Sequence, residues 1–259
     1  MSRDIILEMN KVRRTFGGLV AVNNVDMQVR RGSIHAIIGP NGAGKTTFFN
    51  GITGIIPVVS GSIVFEGTEI QHAATHTICR LGIARTFQNI RLFPYLSVLD
   101  NVKIGTHSLY TGFVLAALLR SSKYRREERE ITEFCLSLLE KIGLADKADF
   151  YARNLPYGDQ RKLEIVRALA SKPSMLLLDE PAAGMNTTET AGLEHFIRSL
   201  KDEGYTIAII EHDMKLVMSI ADVISVLDHG EKIAEGTAGE IQNNQRVIEA
   251  YLGKQGAAE

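Results

Sequence analysis

Eight consecutive residues, Gly39-Pro40-Asn41-Gly42-Ala43-Gly44-Lys45-Thr46, combine three glycines with a lysine and a hydroxyl in the pattern G-x-x-x-x-G-K-[ST]. Phosphate groups are anions that need several donors at close range. Glycines let a backbone turn its N–H groups inward with no side chain in the way. A helix that starts immediately afterwards adds the partial positive charge of its N-terminus. In that setting Lys45 reaches the terminal phosphates of a nucleotide and the Thr46 hydroxyl serves as a Mg2+ ligand. Thr47 is counted with them among the nucleotide-binding residues. A second signal, Met175-Leu176-Leu177-Leu178-Asp179-Glu180, is an apolar strand ending in two carboxylates. Ligands of open parallel sheets bind beyond the C-terminal ends of the strands. Asp179 therefore suits the Mg2+ site, through water, and Glu180 suits a general base that polarises an attacking water.

Both signals need particular elements behind them. Ser33 to Ile38 is a near-continuous apolar run of the buried-strand type, and Lys45 to Ile52 reads as the helix after the loop. Ahead of them, Ile5-Leu7-Met9 and Val25-Met27-Val29 alternate as half-buried strands do, and Ser62 to Phe65 is a further strand closed by Glu66-Gly67. From Asn89 to about Ser171 the pattern turns helical. Ile131, Phe134, Cys135, Leu138, Leu139 and Ile142 recur at three- and four-residue steps, with Gly143 as the stop and Lys123 to Arg129 as a solvated start. Beyond Met175 to Leu178, strand–helix alternation returns. Leu193, Phe196, Ile197 and Leu200 form a helical stripe, and Thr206 to Ile210 and Val223 to Leu227 are strands. Such alternation implies a parallel sheet with helices on both faces. Residues 1–88 and 172–259 are read as the core of one α/β domain, with residues 89–171 inserted as a helical lobe.

Composition narrows the class. The chain has 259 residues, 45% apolar and 23% charged, with a net charge of −1, ordinary for a globular domain and without a basic field to recruit nucleic acid. Cys79 and Cys135 fit no metal spacing and read as two reduced thiols. The N-terminus has no secretory pattern. The longest apolar run, Gly112 to Leu119, is too short to span a bilayer. The tail Gly253 to Glu259 reads as frayed.

Further segments, in order and spacing with the phosphate loop, resemble the ABC ATPases over nearly the whole chain. Thr86-Phe87-Gln88 looks like the Q-loop, and Leu155-Pro156-Tyr157-Gly158-Asp159-Gln160 stands where the LSGGQ signature belongs, ahead of a helix expected over Arg161 to Ala170. Glu211-His212-Asp213 resembles the switch-histidine segment, and Phe16 sits where the family places an aromatic that stacks on adenine. The signature departs from the family pattern. Pro156 replaces the serine, Tyr157 a glycine and Asp159 the glutamine, while Leu155 and Gly158 are kept. Asn186 stands where the D-loop often has Asp. Pro181-Ala182-Ala183-Gly184-Met185-Asn186, Arg85 to Phe93 and Ile248-Glu249-Ala250-Tyr251-Leu252-Gly253 together look like the LivG-type subunit of importers of branched-chain and other hydrophobic amino acids.

The resemblance implies a P-loop NTPase with a RecA-like parallel sheet, an antiparallel β subdomain and an inserted α-helical subdomain. It implies ATP and Mg2+ as ligands. Glu180, His212 and Gln88 are then the catalytic set, and Thr46, Gln88 and Asp179 hold the metal. The signature Leu155 to Asp159 would act in trans on the nucleotide of a second cassette. The implied partners are integral membrane permease subunits, a second ATP-binding subunit (non-identical, with a homodimer as the alternative) and, indirectly, an extracellular or periplasmic solute-binding protein. The implied location is cytoplasmic, on the inner face of the cell membrane. Cassettes of this type also serve urea, short amides or aromatic acids. An exporter ATPase of the lipopolysaccharide-export type and a non-transport ABC ATPase are the alternatives. Ile90, Leu92, Phe93 and Tyr95 follow the Q-loop; two of the four are expected to anchor the lobe and the others to line a groove for a helix of the membrane subunit.

Overall fold

The computed structural model describes residues 4–109 and 122–252. The apolar run Gly112 to Leu119 and the tail Gly253 to Glu259 lie outside the described residues. Two sheets form the framework. The first has the order β2-β1-β4-β5, all antiparallel, built from β1 (Ile5–Phe16), β2 (Leu19–Arg30), β4 (Ser60–Phe65) and β5 (Thr68–Glu69). The second has six strands in the order β10-β9-β3-β8-β7-β6. Its members are β3 (Ile34–Ile38), β6 (Ile83–Arg85), β7 (Met175–Asp179), β8 (Thr206–Ile210), β9 (Val223–Asp228) and β10 (Glu231–Gly236). All pairings are parallel except that of β10 with β9.

The central strands are apolar because both of their faces are covered. Ile34, Ala36 and Ile38, with Leu176, Leu178, Ile207, Ile209, Ile224 and Val226, face one core; Ile37, Met175, Leu177, Ala208, Ile210 and Leu227 face the other. The second core lies under the antiparallel sheet and is filled by Phe48, Phe49 and Ile52 of α1 (Lys45–Ile52). Ile78 of α2 (Thr75–Leu81) also packs in the second core, and the first core takes the remaining helices. The chain leaves the sheet after β6 and runs through α2's successors before re-entering as β7: α2 (Thr75–Leu81) precedes β6, and α3 (Val98–Gly105), α4 (Ser122–Glu140) and α5 (Tyr157–Leu169) follow it. Val98 and Val102 of α3, Ile131, Cys135, Leu138 and Leu139 of α4, and Leu163, Val166 and Leu169 of α5 join the sheet's residues in one continuous apolar cluster. Beyond β7 come α6 (Thr187–Asp202), α7 (Met214–Ile220), α8 (Ala238–Gln242) and α9 (Gln245–Leu252).

The strands expected from the sequence are present. Three short or polar ones, β5, β6 and β10, carried no apolar alternation to reveal them. The helix expected over Arg161 to Ala170 begins four residues earlier, at Tyr157. Pro156 is its N-cap, the Asp159 carboxylate in the first turn complements the helix dipole, and Gln160 Nε2 closes back on the Leu155 carbonyl at 2.9 Å. Both cysteines are free thiols, Cys135 buried and Cys79 half-buried. Among the described residues no helix is long and apolar enough to cross a membrane.

A single core shared by α4 and the sheet makes the helices between β6 and β7 part of one cooperative unit. Leu139→Ala, at a position with 0% exposure, is expected to cost about 2–5 kcal/mol and to lower one thermal transition as a whole. Two separable transitions in calorimetry, with only one moved by the substitution, would contradict this.

Candidate active site

The loop between β3 and α1 wraps its own lysine. Lys45 Nζ donates to the carbonyls of Gly39 at 2.6 Å and Pro40 at 3.0 Å, and the residue is only 6% exposed. Two glycines are required by space as well as by dihedral. A Cβ on Gly39 (φ +150°) would lie 2.0 Å from the Leu227 carbonyl oxygen, and one on Gly44 (φ +97°) 2.2 Å from that of Ala21. The loop is thus clamped between β2 and the turn after β9, where Gly230 N donates to the Ala43 carbonyl at 3.0 Å.

Above the loop is a cavity of about 1000 Å³. Asn41, Gly42, Ala43, Gly44, Lys45, Thr46 and Thr47 form its base. Phe16, from the end of β1, forms a wall; the residue is 41% exposed, and the Arg14 guanidinium stands 4.6 Å from its ring centroid. Gln88, Glu180 and His212 close the far side. Leu19, Val20, Ala21 and His229 also line it, and nothing in their sequence pattern marked them.

Glu180 is the meeting point of three segments. Its Oε2 accepts from Gln88 Nε2 at 2.8 Å, and its Oε1 lies 2.7 Å from His212 Nε2. Its backbone is left-handed, φ 48°, and its N–H donates to the Ile210 carbonyl at 2.9 Å. A buried neighbour, Glu211, gathers the backbone N–H groups of Ala182 (2.7 Å), His212 (3.0 Å) and Asp213 (3.4 Å). Burial raises the Glu211 pKa and these three donors oppose the rise. Glu211 thereby joins the turn after Glu180 to the turn that carries His212. The Asp213 side chain caps α7 through Lys215 N and Leu216 N.

Asp179 lies just outside the cavity lining, with its side chain 3% exposed. Arg85 Nη2 donates to its Oδ2 at 2.7 Å, while Oδ1 is buried without a hydrogen-bond partner among the described residues. A carboxylate oxygen left so, together with the Thr46 hydroxyl that lines the cavity, has the hard-oxygen chemistry that a Mg2+ shell uses, directly or through water. The residues present fit the cation.

The signature residues Leu155, Pro156, Tyr157, Gly158 and Asp159 do not line this cavity. They lie against the segment after Glu180: Tyr157 Oη donates to the Ala183 carbonyl at 3.0 Å, and Gly158 N to Glu189 Oε1 at 3.3 Å. Asp159 faces Lys147 at 3.4 Å. Helix α5 also grips the Q-loop, which sequence reasoning did not foresee. Arg161, 2% exposed, donates to the carbonyls of Phe87 (2.9 Å) and Gln88, Arg167 donates to that of Arg91, and Glu164 accepts from Arg91 N at 3.1 Å. The available signal was three charged residues, Arg161, Glu164 and Arg167, at three-residue steps beside the apolar stripe of the helix.

A second cavity, of about 880 Å³, opens on the other side of the Q-loop. Its apolar lining includes Ile55, Ile83, Phe87, Phe93 and Ile104, and its basic residues are Arg80, Arg85, Arg91 and Arg167. Of Ile90, Leu92, Phe93 and Tyr95, two of which were expected to anchor the lobe and the others to line a groove, Phe93 lines this cavity. Leu92 packs against the main core, Ile90 is half-buried away from the groove, and Tyr95 lies under Arg153, 4.7 Å from its ring. The groove is wider than the post-Q-loop segment because α2, β6, α3 and α5 converge on it. Asn101, fully buried on α3, fixes the Phe93 backbone by accepting from its N–H at 2.9 Å and donating to its carbonyl at 3.1 Å.

Comparison with known proteins agrees with this geometry. The family model described as "ABC transporter" matches residues 22–183, and the model described as "Branched-chain amino acid ATP-binding cassette transporter" matches residues 231–257. The chain is 45% identical to the high-affinity branched-chain amino acid transport ATP-binding protein BraF of Pseudomonas aeruginosa, over 98% of this chain and 100% of that protein. It is 43% identical to the corresponding protein LivG of Escherichia coli K12, over 96% of this chain and 98% of that one. The crystal structure of MJ1267 in its ADP conformation, an ATP-binding cassette of an ABC transporter, superposes with a TM-score of 0.84 at 32% identity, covering 96% of this chain and 99% of that one. A nucleotide-free ATP-binding cassette from an ABC transporter gives 0.83 at 33% identity, covering 95% and 98%. With the loop, the paired carboxylates and the histidine gathered on one cavity, and with likeness along its whole length, the chain belongs to the ABC transporter family as one of its ATP-binding cassettes, an ATPase coupled to transport.

Proposed function

We propose that this chain is the LivG-type ATPase that powers import of branched-chain or related hydrophobic amino acids through separate membrane subunits. Relatives bearing that function in their names, at 43–45% identity over nearly the full chain, support the cargo class. The observation that carries the chemistry is the Glu180 carboxylate, held between Gln88 and His212 over the phosphate loop.

In this reading the loop Gly39 to Thr47 binds the ATP phosphates, with Lys45 turning from its loop carbonyls to the β- and γ-phosphates, and Phe16 stacks on adenine. Thr46, Gln88 and Asp179 would hold Mg2+, which when bound would supply neutralisation of phosphate charge. Glu180 accepts the proton of a water whose oxygen attacks the γ-phosphorus; the bond to the β–γ bridging oxygen breaks and ADP leaves. His212 contacts the γ-phosphate and holds Glu180. The residues Leu155 to Asp159 complete the nucleotide site of a second, non-identical cassette, and residues 89–171 act as an inserted helical subdomain between 1–88 and 172–259. The 880 Å³ groove receives a short helix of a permease subunit on the inner face of the membrane. A solute-binding protein engages the permease rather than this chain, and no nucleic acid takes part.

Three measurements test the reading. Glu180→Gln keeps the shape of the side chain and its bond partners but removes the base, so turnover is expected to fall about 10²–10⁴-fold while ATP-bound dimers accumulate in size-exclusion chromatography. Hydrolysis at the wild-type rate would remove Glu180 from this role. Lys45→Ala deletes a charge-assisted phosphate contact, and calorimetry should register loss of tight MgATP binding; unchanged affinity would sink the loop assignment. Phe93→Asp places a charge at the apolar part of the groove. The soluble ATPase should persist while co-purification with the membrane subunits is lost, and an assembly that survives the substitution would move the docking site elsewhere.

A further inference from the structure

We infer that Arg85 is a positioning residue for the divalent cation: it holds one oxygen of Asp179 so that the other is reserved for the metal, and it does so from the wall of the partner groove. This rests on the reading of Asp179 as the Mg2+ carboxylate.

Arg85 ends β6, the edge strand of the parallel sheet, and its side chain is 5% exposed. Its guanidinium is divided between two tasks. Nη2 donates to Asp179 Oδ2 at 2.7 Å; Nη1 donates to Asn50 Oδ1 at 2.8 Å and to Thr53 Oγ1 at 3.1 Å. Asn50 and Thr53 belong to the C-terminal end of α1, the helix whose first residues are Lys45 and Thr46. The Phe49 and Phe87 rings lie 5.6 Å and 5.1 Å from the guanidinium carbon. One planar cation therefore ties together the phosphate-loop helix, the end of β7 and the residue before Gln88.

The plainer reading is an ion pair that fastens β6 to β7. Those strands are already paired at Ile83–Met175, Ala84–Leu176 and Arg85–Leu177, so the fastening is redundant. A structural Arg–carboxylate pair gains most as a fork, with two parallel N–H···O bonds. Here the fork is split toward α1, and Asp179 Oδ1 stays buried and unpaired among the described residues. An unpaired buried carboxylate oxygen is costly, and a cation ligand removes that cost. Arg85 and Thr53 also line the 880 Å³ groove, with Phe87 beside them. Whatever docks there meets the same residues that set Asp179.

Lysine offers a point charge in place of a fork and cannot serve both tasks. The experiment follows binding of a fluorescent ATP analogue by the full chain, in EDTA and across a Mg2+ titration, for wild type, Arg85→Lys and Asn50→Ala. The expected result is metal-free nucleotide affinity equal to wild type in both variants. The half-saturating Mg2+ concentration should rise about tenfold or more for Arg85→Lys and less, in the same direction, for Asn50→Ala. Titrations that overlay wild type overturn the inference. So does a loss of metal-free affinity by the same factor, which marks general loosening of the loop. If Arg85→Lys does not fold, Asn50→Ala decides alone. A wild-type chain matched by Asp179→Asn in its response to Mg2+ would instead overturn the reading of Asp179, and the inference with it.

Discussion

Parallel pairing of β3, β8 and β7 in one register is the constraint on which the site depends. Ile37 and Asp179 both pair with Ile210, so the three strands end level with one another. Gly39, Glu180 and His212 each follow that line by one or two residues, which is why a loop, a carboxylate and an imidazole from distant parts of the chain face one cavity. Apolar alternation alone does not fix this register, because both faces of the sheet are apolar and a one-residue slip would still bury hydrocarbon. Polar contacts pin β3 against its two neighbours, β8 and β9. Gly32 N donates to Thr206 Oγ1 at 2.9 Å, Ile34 N to Asp222 Oδ2 at 2.9 Å, and His35 Nε2 lies 2.8 Å from Ser225 Oγ. His35 is buried and its pKa is lowered to about 4 chiefly by that burial, so it holds this contact as a neutral ring.

The Q-loop is fixed by a different device. Arg161, Glu164 and Arg167 form a buried charged cluster on α5 whose outward bonds all go to the backbone between Phe87 and Arg91. Burial raises the Glu164 pKa, and the Arg91 N–H and the two guanidinium groups oppose it; burial likewise lowers the Arg167 pKa against the pull of Glu164. Such a cluster adds little net stability compared with hydrocarbon of the same volume, but removing one member strands the others. Its effect is positional. Gln88 is carried by α5 on one side and reaches Glu180 on the other, so the active-site cavity and the second groove share a single rigid partition.

The sequence made the candidate site residues legible and left their supports dark. Gly39 to Thr46 and Asp179–Glu180 announce themselves because phosphate chemistry demands those residue types in contiguous runs. Family resemblance, read from the order of Phe16, Gln88, the Leu155–Gln160 variant and His212, is borne out by the family model and by relatives matched along nearly the whole chain. Arg85, Asn101, Arg161 and Glu211 gave no comparable signal. Each is a buried polar residue bonded to backbone or side chains outside its own strand or helix, in the case of Arg85 and Asp179 far away in sequence, and no local spacing encodes such a pair. Which of the residues after Gln88 face the groove was left open for a related reason. Exposure of Phe93 and burial of Leu92 depend on how α3 and α5 pack, with Asn101 holding the Phe93 backbone in place, and periodicity within seven residues carries no information about that.

Glu180 sits in the left-handed region at φ 48°, where a residue with a Cβ is held at a cost of about 1–3 kcal/mol unless its surroundings overdetermine it. Those surroundings are the Ile210 carbonyl on its N–H and the two side chains on its carboxylate. Glycine or asparagine would occupy the same backbone with less strain. In the proposed reading the fold and the reaction therefore ask for different residues at this one position. A chain selected only for resistance to unfolding would drift away from glutamate there, and on that reading would become a sturdier protein with nothing to do.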